Sequence, residues 1–155
     1  MSKAGNRFLR VAAYAVITDQ RGRLLLCRLS DVTDAPGSWT LPGGGVEHGE
    51  HPRDTVVREV QEETGLRVSV GALLDVDSVH RPADDDHADD VQAIRVIYRA
   101  VADDPAAPLV MEQDGSTDEA RWFGSDELDA VPLVDLARSA LAVASTAATG
   151  LTAHS

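Results

Sequence analysis

The sequence predicts an α/β domain in which a mixed sheet lies between helices. Two observations support this fold class: extended segments both precede and follow one acidic helix, and an apolar helix closes the chain. Because strands and helices do not alternate regularly, a mixed sheet is favoured over a doubly wound one. The 155 residues fit a single domain, 1–155, of which about 1–6 and 150–155 are expected to be flexible.

The strand predictions rest on apolar alternation and on turn-forming residues between the alternating segments. Every second residue of 11–17 is apolar, and the turn 19–22 leads into the apolar run 24–27, so a hairpin is predicted there. Further strands are predicted at 39–41, at 66–79 with a break near Gly71, at 91–101 and at 119–123. Loops are predicted at 29–38, at the acidic segment 84–90 and at 103–118.

Two helices are predicted from their end signals and periodicity. Pro52 suits a first helical position and Gly65 a left-handed cap, so the first helix spans 52–64. Apolar residues at helical spacing predict a second helix from 132 to about 148. Between strand and helix, the three glycines 43–45 indicate a backbone path that other residues cannot follow, a close approach of the backbone to a ligand, or a plain flexible turn.

The charge distribution excludes some partners. A net charge of -12 argues against a nucleic-acid polymer, whose binding requires neutralisation of phosphates by Lys and Arg. The first 28 residues nevertheless carry six basic side chains and one acidic one, a charge of +5, which a small phosphate-bearing ligand could use. The alternative is that these side chains are solvated on a strand face. No apolar run is long enough for a membrane helix or a secretory signal, so a cytoplasmic location is expected.

The first helix gathers three carboxylates on one face. At 100° per residue, Glu63 and Glu62 lie about 40° and about 60° to either side of Glu59. Valines 56, 57 and 60 fall on a separate arc that can pack on the sheet, so the acidic face is predicted to point away from it. Such a face could hold a divalent cation. Taken alone, an acidic cluster of this kind is more often an ordinary acidic surface helix.

These three carboxylates belong to a longer sequence pattern. Nine positions within 23 residues resemble the Nudix box at every defining residue. These positions are Gly44, Glu50, Arg58, Glu59, Val60, Glu62, Glu63, Gly65 and Leu66. The flanking segments 39–43 and 119–123 also look like members of this family, so the resemblance extends through most of the domain.

The resemblance implies an α/β/α sandwich in which the box forms a loop, a helix and a loop. It also implies a hydrolase that uses Mg²⁺ or Mn²⁺ to cleave the phosphoanhydride of a nucleoside diphosphate derivative. The Gly43 carbonyl and the carboxylates of Glu59, Glu62 and Glu63 would be metal ligands, and Arg58 would orient the glutamates. Gly44, Glu50 and Gly65 would shape the motif itself. The implied partner is a small nucleotide, and a homodimer is left open.

The general base and the substrate contacts are less defined. The candidates for the base are Glu59, Glu112, Asp114 and Glu119, of which Glu112 is equally a solvated loop residue. Arg28, Glu112 and Glu119 are the predicted substrate contacts. Trp39 and Trp122 could stack on a base, although packing in the core is favoured for both. Pro82 lies 16 residues beyond Leu66, a placement that resembles the ADP-ribose-cleaving branch.

Two other functions compete with hydrolysis. A catalytically silent binding or regulatory module would be expected to lack a box glutamate, and all three are present. An isoprenoid diphosphate isomerase of the same family would need a reactive cysteine. Cys27, the only cysteine, lies in an apolar run and is predicted to be a buried structural thiol.

Overall fold

One mixed sheet organises the chain. The structure, a computed structural model, describes residues 5–104, 108, 110 and 114–152, with side chains described only as far as residue 146. Its strands are β1 (Arg7–Thr18), β2 (Leu24–Leu29), β3 (Trp39–Thr40), β4 (Gly43–Gly45), β5 (Val68–Arg81), β6 (Asp90–Ala102) and β7 (Thr117–Phe123). Two helices, α1 (Pro52–Thr64) and α2 (Asp135–Thr152), and a 3₁₀ turn at Leu128–Ala130 complete the described elements.

The sheet has the order β3-β2-β1-β6-β5 and is mixed, as predicted. β1 and β6 run parallel along the whole of β1, whereas the other pairs are antiparallel. β1 meets β2 at its last residue, where Thr18 pairs with Leu24. Nearer its middle, at residues 12–14, β1 pairs with β4 instead. β2 takes β7 as a second partner. Glycines 43–45 therefore occupy the edge of β1 that is not paired with β6.

A hydrophobic core lies on each face of the sheet. On one face Val56 and Val60 of α1 pack against β1 and β6 residues such as Ala15 and Ala100. On the other face Leu136, Ala137 and Ala140 of α2 pack with another set of strand residues. Helices on both sides of a mixed sheet make the predicted α/β/α sandwich. No helix in the described part of the chain is both long enough and apolar enough to cross a bilayer.

The first helix has the predicted bounds, and the second begins three residues later than predicted. His51 caps α1 because its Nδ1 accepts the Arg53 amide at 3.0 Å, and Gly65 ends it at a φ of 72°. α2 begins at Asp135 because the preceding residues bond to β3. Trp39 donates its amide to the Pro132 carbonyl at 2.8 Å and accepts the Val134 amide at 3.0 Å.

Two strands also differ from their predicted bounds. β5 is continuous through Gly71, and the predicted break is instead a pair of register shifts between Val70 and Asp75. The loop predicted at 103–118 ends earlier, since Thr117 already pairs with Leu29 in the sheet. The acidic segment 84–90 is a loop up to Asp90, where β6 begins.

Candidate active site

The valines of α1 fix how the helix presents its carboxylates. Val56 and Val60 are fully buried, but Val57 is 39% exposed, so the prediction that it packs on the sheet was wrong. The buried arc instead includes Glu63 and Thr64. The orientation of α1 on the sheet thus places Glu63, at one side of the acidic face, inside the protein.

The three glycines do not form a flexible turn. They are strand β4, antiparallel to β1. Gly43 has a φ of 148°, and a Cβ there would lie 2.2 Å from the Ala13 carbonyl oxygen. At Gly44 a Cβ would lie 2.7 Å from the Glu59 carboxylate. These positions need glycine because β1 on one side and a functional carboxylate on the other leave no room for a side chain.

We predict that Gly43→Ala costs about 2–5 kcal/mol of unfolding free energy, the sum of about 1–2 for the positive φ and about 1–3 for overpacking against backbone. Gly22→Ala is the matched control, because Gly22 also has a positive φ, 74°, but has open space around it. Thermal unfolding should show the larger loss for Gly43→Ala. Equal losses in the two variants would mean that close packing against β1 is unimportant.

Arg58 is the centre of an ion-pair network beneath the loop of residues 46–51, which joins β4 to α1. Its Nε and one Nη donate to the two oxygens of Glu50 at 2.9 and 3.0 Å, the planar geometry that a guanidinium favours. The other Nη donates to Glu59 at 3.0 Å and to Glu62 at 3.3 Å. A further bond at 3.2 Å reaches the Gly45 carbonyl. One side chain therefore ties the loop, β4 and two of the three box glutamates together.

Glu50 receives the strongest of these interactions. In addition to Arg58, the Thr55 hydroxyl donates to it at 2.6 Å and the Glu47 amide at 3.2 Å. These hydrogen bonds, those from Arg58 first, lower the pKa of Glu50 to about 2. Glu50 is consequently ionised at any ordinary pH. Its contacts are to the loop, to Thr55 at the start of α1 and to Arg58.

Glu63 occupies a buried position beside Glu59. It is 2% exposed, and it accepts hydrogen bonds from the Gly43 amide and the Cys27 thiol. The Thr117 hydroxyl donates to it at 3.4 Å. Burial first, and then the charge of Glu59, raise the pKa of Glu63 well above its usual value. The sequence predicted an acidic face directed away from the sheet, and for Glu63 that prediction was wrong.

The donor chemistry of this site fits a hard divalent cation. Carboxylate and carbonyl oxygens are the ligands that Mg²⁺ and Mn²⁺ prefer. Two adjacent carboxylates, one of them buried, repel each other, and a cation between them would relieve that repulsion. Within the described residues, however, no three acidic, His or Cys side chains converge enough to enclose an ion. Glu62 is turned to Arg58, so a shell of three carboxylates requires that it leave this partner.

A cavity of about 440 Å³ opens beside Glu63, on the α2 side of the sheet. Its lining includes Arg10, Tyr14, Gly43, Gly44, Glu63 and Arg95. Arg95 is held by Asp77 through two hydrogen bonds of 2.7 and 2.8 Å. The cavity is large enough for part of a small ligand, and it places that ligand against the box.

The other predicted site residues lie at varying distances from this centre. Arg28 pairs with Asp118 at 2.7 Å and with Glu119 at 2.8 Å, and none of these residues lines the cavity. Asp114, at a φ of 57°, lines a neighbouring cleft with Ser30 and Thr117, and Thr117 also lines the cavity. Glu112, predicted as a candidate base and as a substrate contact, lies outside the described residues. Trp39 and Trp122 are buried, which confirms that both pack in the core.

Several residues that the fold brings to the site were not predicted from the sequence. The sequence pattern places Thr117 in a loop and indicates only a structural role for Cys27, although both donate to Glu63. Tyr14 and Arg10 are four residues apart on β1 and so share one face, a signal that the strand pattern does contain. Arg95 joins them only because β6 pairs with β1 in a parallel register, opposite Ala12. That register cannot be read from local sequence.

Comparisons with known proteins agree with this arrangement. A family model described as NUDIX domain matches residues 8–143. A MutT-like protein of Streptomyces ambofaciens is 46% identical over 66 residues, which cover 43% of this chain and 40% of that protein. The CMP-5'-(N-acetyl-N-hydroxy-3-aminopropyl)phosphonate hydrolase of Streptomyces rubellomurinus is 36% identical over 146 residues, 92% of this chain and 62% of that protein. The match thus spans less than two-thirds of either relative.

The fold is matched by solved structures as well. A MutT NUDIX hydrolase from Burkholderia pseudomallei superposes with a TM-score of 0.69 at 31% sequence identity. The superposition covers 86% of this chain and 96% of the other. The two proteins therefore share their architecture over nearly the whole of the shorter chain.

Proposed function

This chain belongs to the Nudix family, and we propose that it is a divalent-metal-dependent hydrolase of phosphoanhydride bonds in nucleoside diphosphate derivatives. The observation that supports this most is the assembly of the complete box around Arg58, which contacts Glu50, Glu59 and Glu62 directly. Glu63 completes the set beside Glu59. Of the three carboxylates proposed as metal ligands, Glu59 and Glu62 contact Arg58, and Glu63 lines the cavity.

The reaction adds water across a P–O–P linkage. An oxygen from water bonds to one phosphorus, the bond from that phosphorus to the bridging oxygen breaks, and the two phosphate products share the protons of the water. Glu59, Glu62, Glu63 and the Gly43 carbonyl would hold Mg²⁺ or Mn²⁺. When bound, such an ion neutralises phosphate oxygens and makes a coordinated water more acidic.

The protein's own groups supply orientation. Arg58 fixes Glu59 relative to the loop through a bidentate bond to Glu50, so this carboxylate is positioned before substrate arrives. Glu62 would leave Arg58 to join the metal site. Glu63 is fixed by donors from β4, β2 and β7.

The general base is proposed to be one of three described carboxylates. Glu119 is already paired with Arg28, and Asp114 lines the neighbouring cleft, which shares Thr117 with the cavity. Glu59 lies beside Glu63, within the cluster itself. A pH–rate profile of each Gln or Asn variant would identify the base, because its loss removes the acidic limb of the profile.

The substrate class is proposed from two kinds of support. The Streptomyces rubellomurinus relative is named as a hydrolase of CMP joined to a substituted phosphonate, which is a nucleotide linked to a second moiety. Pro82 favours ADP-ribose or a related nucleotide within the same class. The two suggestions share a nucleoside phosphate bound to a further group, and this shared chemistry is the substrate that we propose.

The test is turnover across a nucleotide panel with Mg²⁺ or Mn²⁺. The panel contains ADP-ribose, CDP- and UDP-linked compounds, dinucleoside polyphosphates and nucleoside triphosphates. We expect release of a nucleoside monophosphate from at least one linked nucleotide, and loss of that activity in excess EDTA with recovery on added Mg²⁺. Product analysis in ¹⁸O-water would identify the phosphorus attacked. Tight binding without turnover anywhere in the panel would favour the silent module instead.

A further inference from the structure

The basic residues near the N-terminus divide into neutralised and free groups. Arg23 pairs with Asp19 at 2.6 Å, and Arg28 is shared by two carboxylates. Arg21 lies in the turn at the far end of β1, while Arg7 lines a different cleft with His80. Lys3 lies outside the described residues. Few of these positive charges are therefore available to a ligand bound at the box.

Arg10 is the exception among them. It is exposed on β1, and it makes no hydrogen bond or ion pair with any residue that the structure describes. Its guanidinium lies beside β4, where a Cβ at Gly45 would be 3.5 Å from Nη2 and 3.7 Å from Nε. It lines the same cavity as Glu63 and Gly44. Arg10 thus presents a positive charge on the side of β4 next to the carboxylate cluster.

Arg95 shows what a structural arginine in this cavity looks like. Its guanidinium is engaged bidentately by Asp77, so its charge is neutralised within the protein. Arg10 has no such carboxylate among the described residues. An unpaired guanidinium that faces a cavity is suited to a planar anion with two oxygens or to phosphate, which offers two oxygens at a similar spacing.

We propose that Arg10 binds an oxygen of the substrate phosphate that is not held at the box glutamates, and so selects ligands with two linked phosphates. The proposal rests on the proposed function, because it assumes that the glutamates engage the other phosphate. A nucleoside monophosphate offers one phosphate only and would lose one of the two contacts. Arg10 is then a specificity-determining residue, and its effect is on binding.

The test compares Arg10→Met, Arg10→Lys and the control Arg7→Met, which makes the same charge change on the same strand. With the best substrate of the panel, we expect Arg10→Met to raise KM at least tenfold with kcat within about twofold, since charge-assisted hydrogen bonds have this strength. Arg10→Lys should recover part of the loss, and Arg7→Met should match the wild type. A KM within about twofold of wild type in Arg10→Met, or equal effects of the Arg7 and Arg10 variants, would overturn the proposal.

Failure of the proposal and failure of the proposed function give different results. If the wild type turns over no nucleotide, the proposed function fails, and Arg10 is then tested by calorimetric titration of ADP in Mg²⁺. There we expect Arg10→Met to weaken ADP binding at least about tenfold while the weaker binding of AMP changes less. Equal loss for ADP and AMP would exclude selection of a second phosphate. Thermal unfolding of Arg10→Met, Arg10→Lys and Arg7→Met confirms that each variant is folded.

Discussion

Replacement of Glu63 by Gln is expected to lower turnover by at least about 100-fold while leaving the protein folded. The reason is that Gln keeps the size of the side chain but removes the charge that would stabilise a bound cation, and losses of one such electrostatic contact reach about 10²–10³-fold. Stability should not fall, because Glu63 is buried beside Glu59 and its charge is unfavourable there without a cation.

Two measurements separate this explanation from general damage. Kinetics with saturating Mg²⁺ should be compared with Asp54→Asn, which removes an exposed carboxylate from the same helix and should leave turnover unchanged. Thermal unfolding with and without Mg²⁺ should show a metal-dependent rise in Tm for the wild type that Glu63→Gln lacks, since a ligand bound only by the native state stabilises it. Turnover within about threefold of wild type would remove Glu63 from the metal site.

Arg58→Lys should be almost as damaging despite the retained charge. A lysine ammonium cannot make two parallel bonds to Glu50 and also reach Glu59 and Glu62, as the guanidinium does. Loss of such an orienting contact lowers activity by about 10–100-fold. The lost charge-assisted bonds also cost about 1–2 kcal/mol of stability, which is a fall in Tm of roughly 2–8 °C.

Arg53→Lys provides the matched comparison for Arg58→Lys. Arg53 is on the same helix, donates to the carbonyls of Val70 and Gly71 at 3.1 and 2.9 Å, and lies over the Tyr98 ring. Its replacement should therefore lower Tm with little effect on kcat. If both lysine variants lost activity in proportion to their loss of stability, the role of Arg58 would be structural alone.

Much of the fold and site could be predicted because the signals were local. The bounds of α1 followed from Pro52 and Gly65, whose backbone preferences act within one turn of the helix. The resemblance to the box predicted Arg58 and the three glutamates as one site, and they are neighbours on α1. The start of α2 could not be predicted, because it is set by two hydrogen bonds to Trp39, more than 90 residues earlier in the sequence.

The order of residues specifies which residue types stand at which spacing, and hence the family, the acidic helix and the need for glycines before it. The environment of each group follows from three-dimensional contacts, which bury Glu63 and leave Arg10 without a hydrogen bond or ion pair among the described residues. These properties depend on how α1 packs on the sheet and on the pairing of β1 with β4 and β6. Burial and ion pairing arise from contacts between segments distant in sequence, and helical or strand periodicity does not encode them.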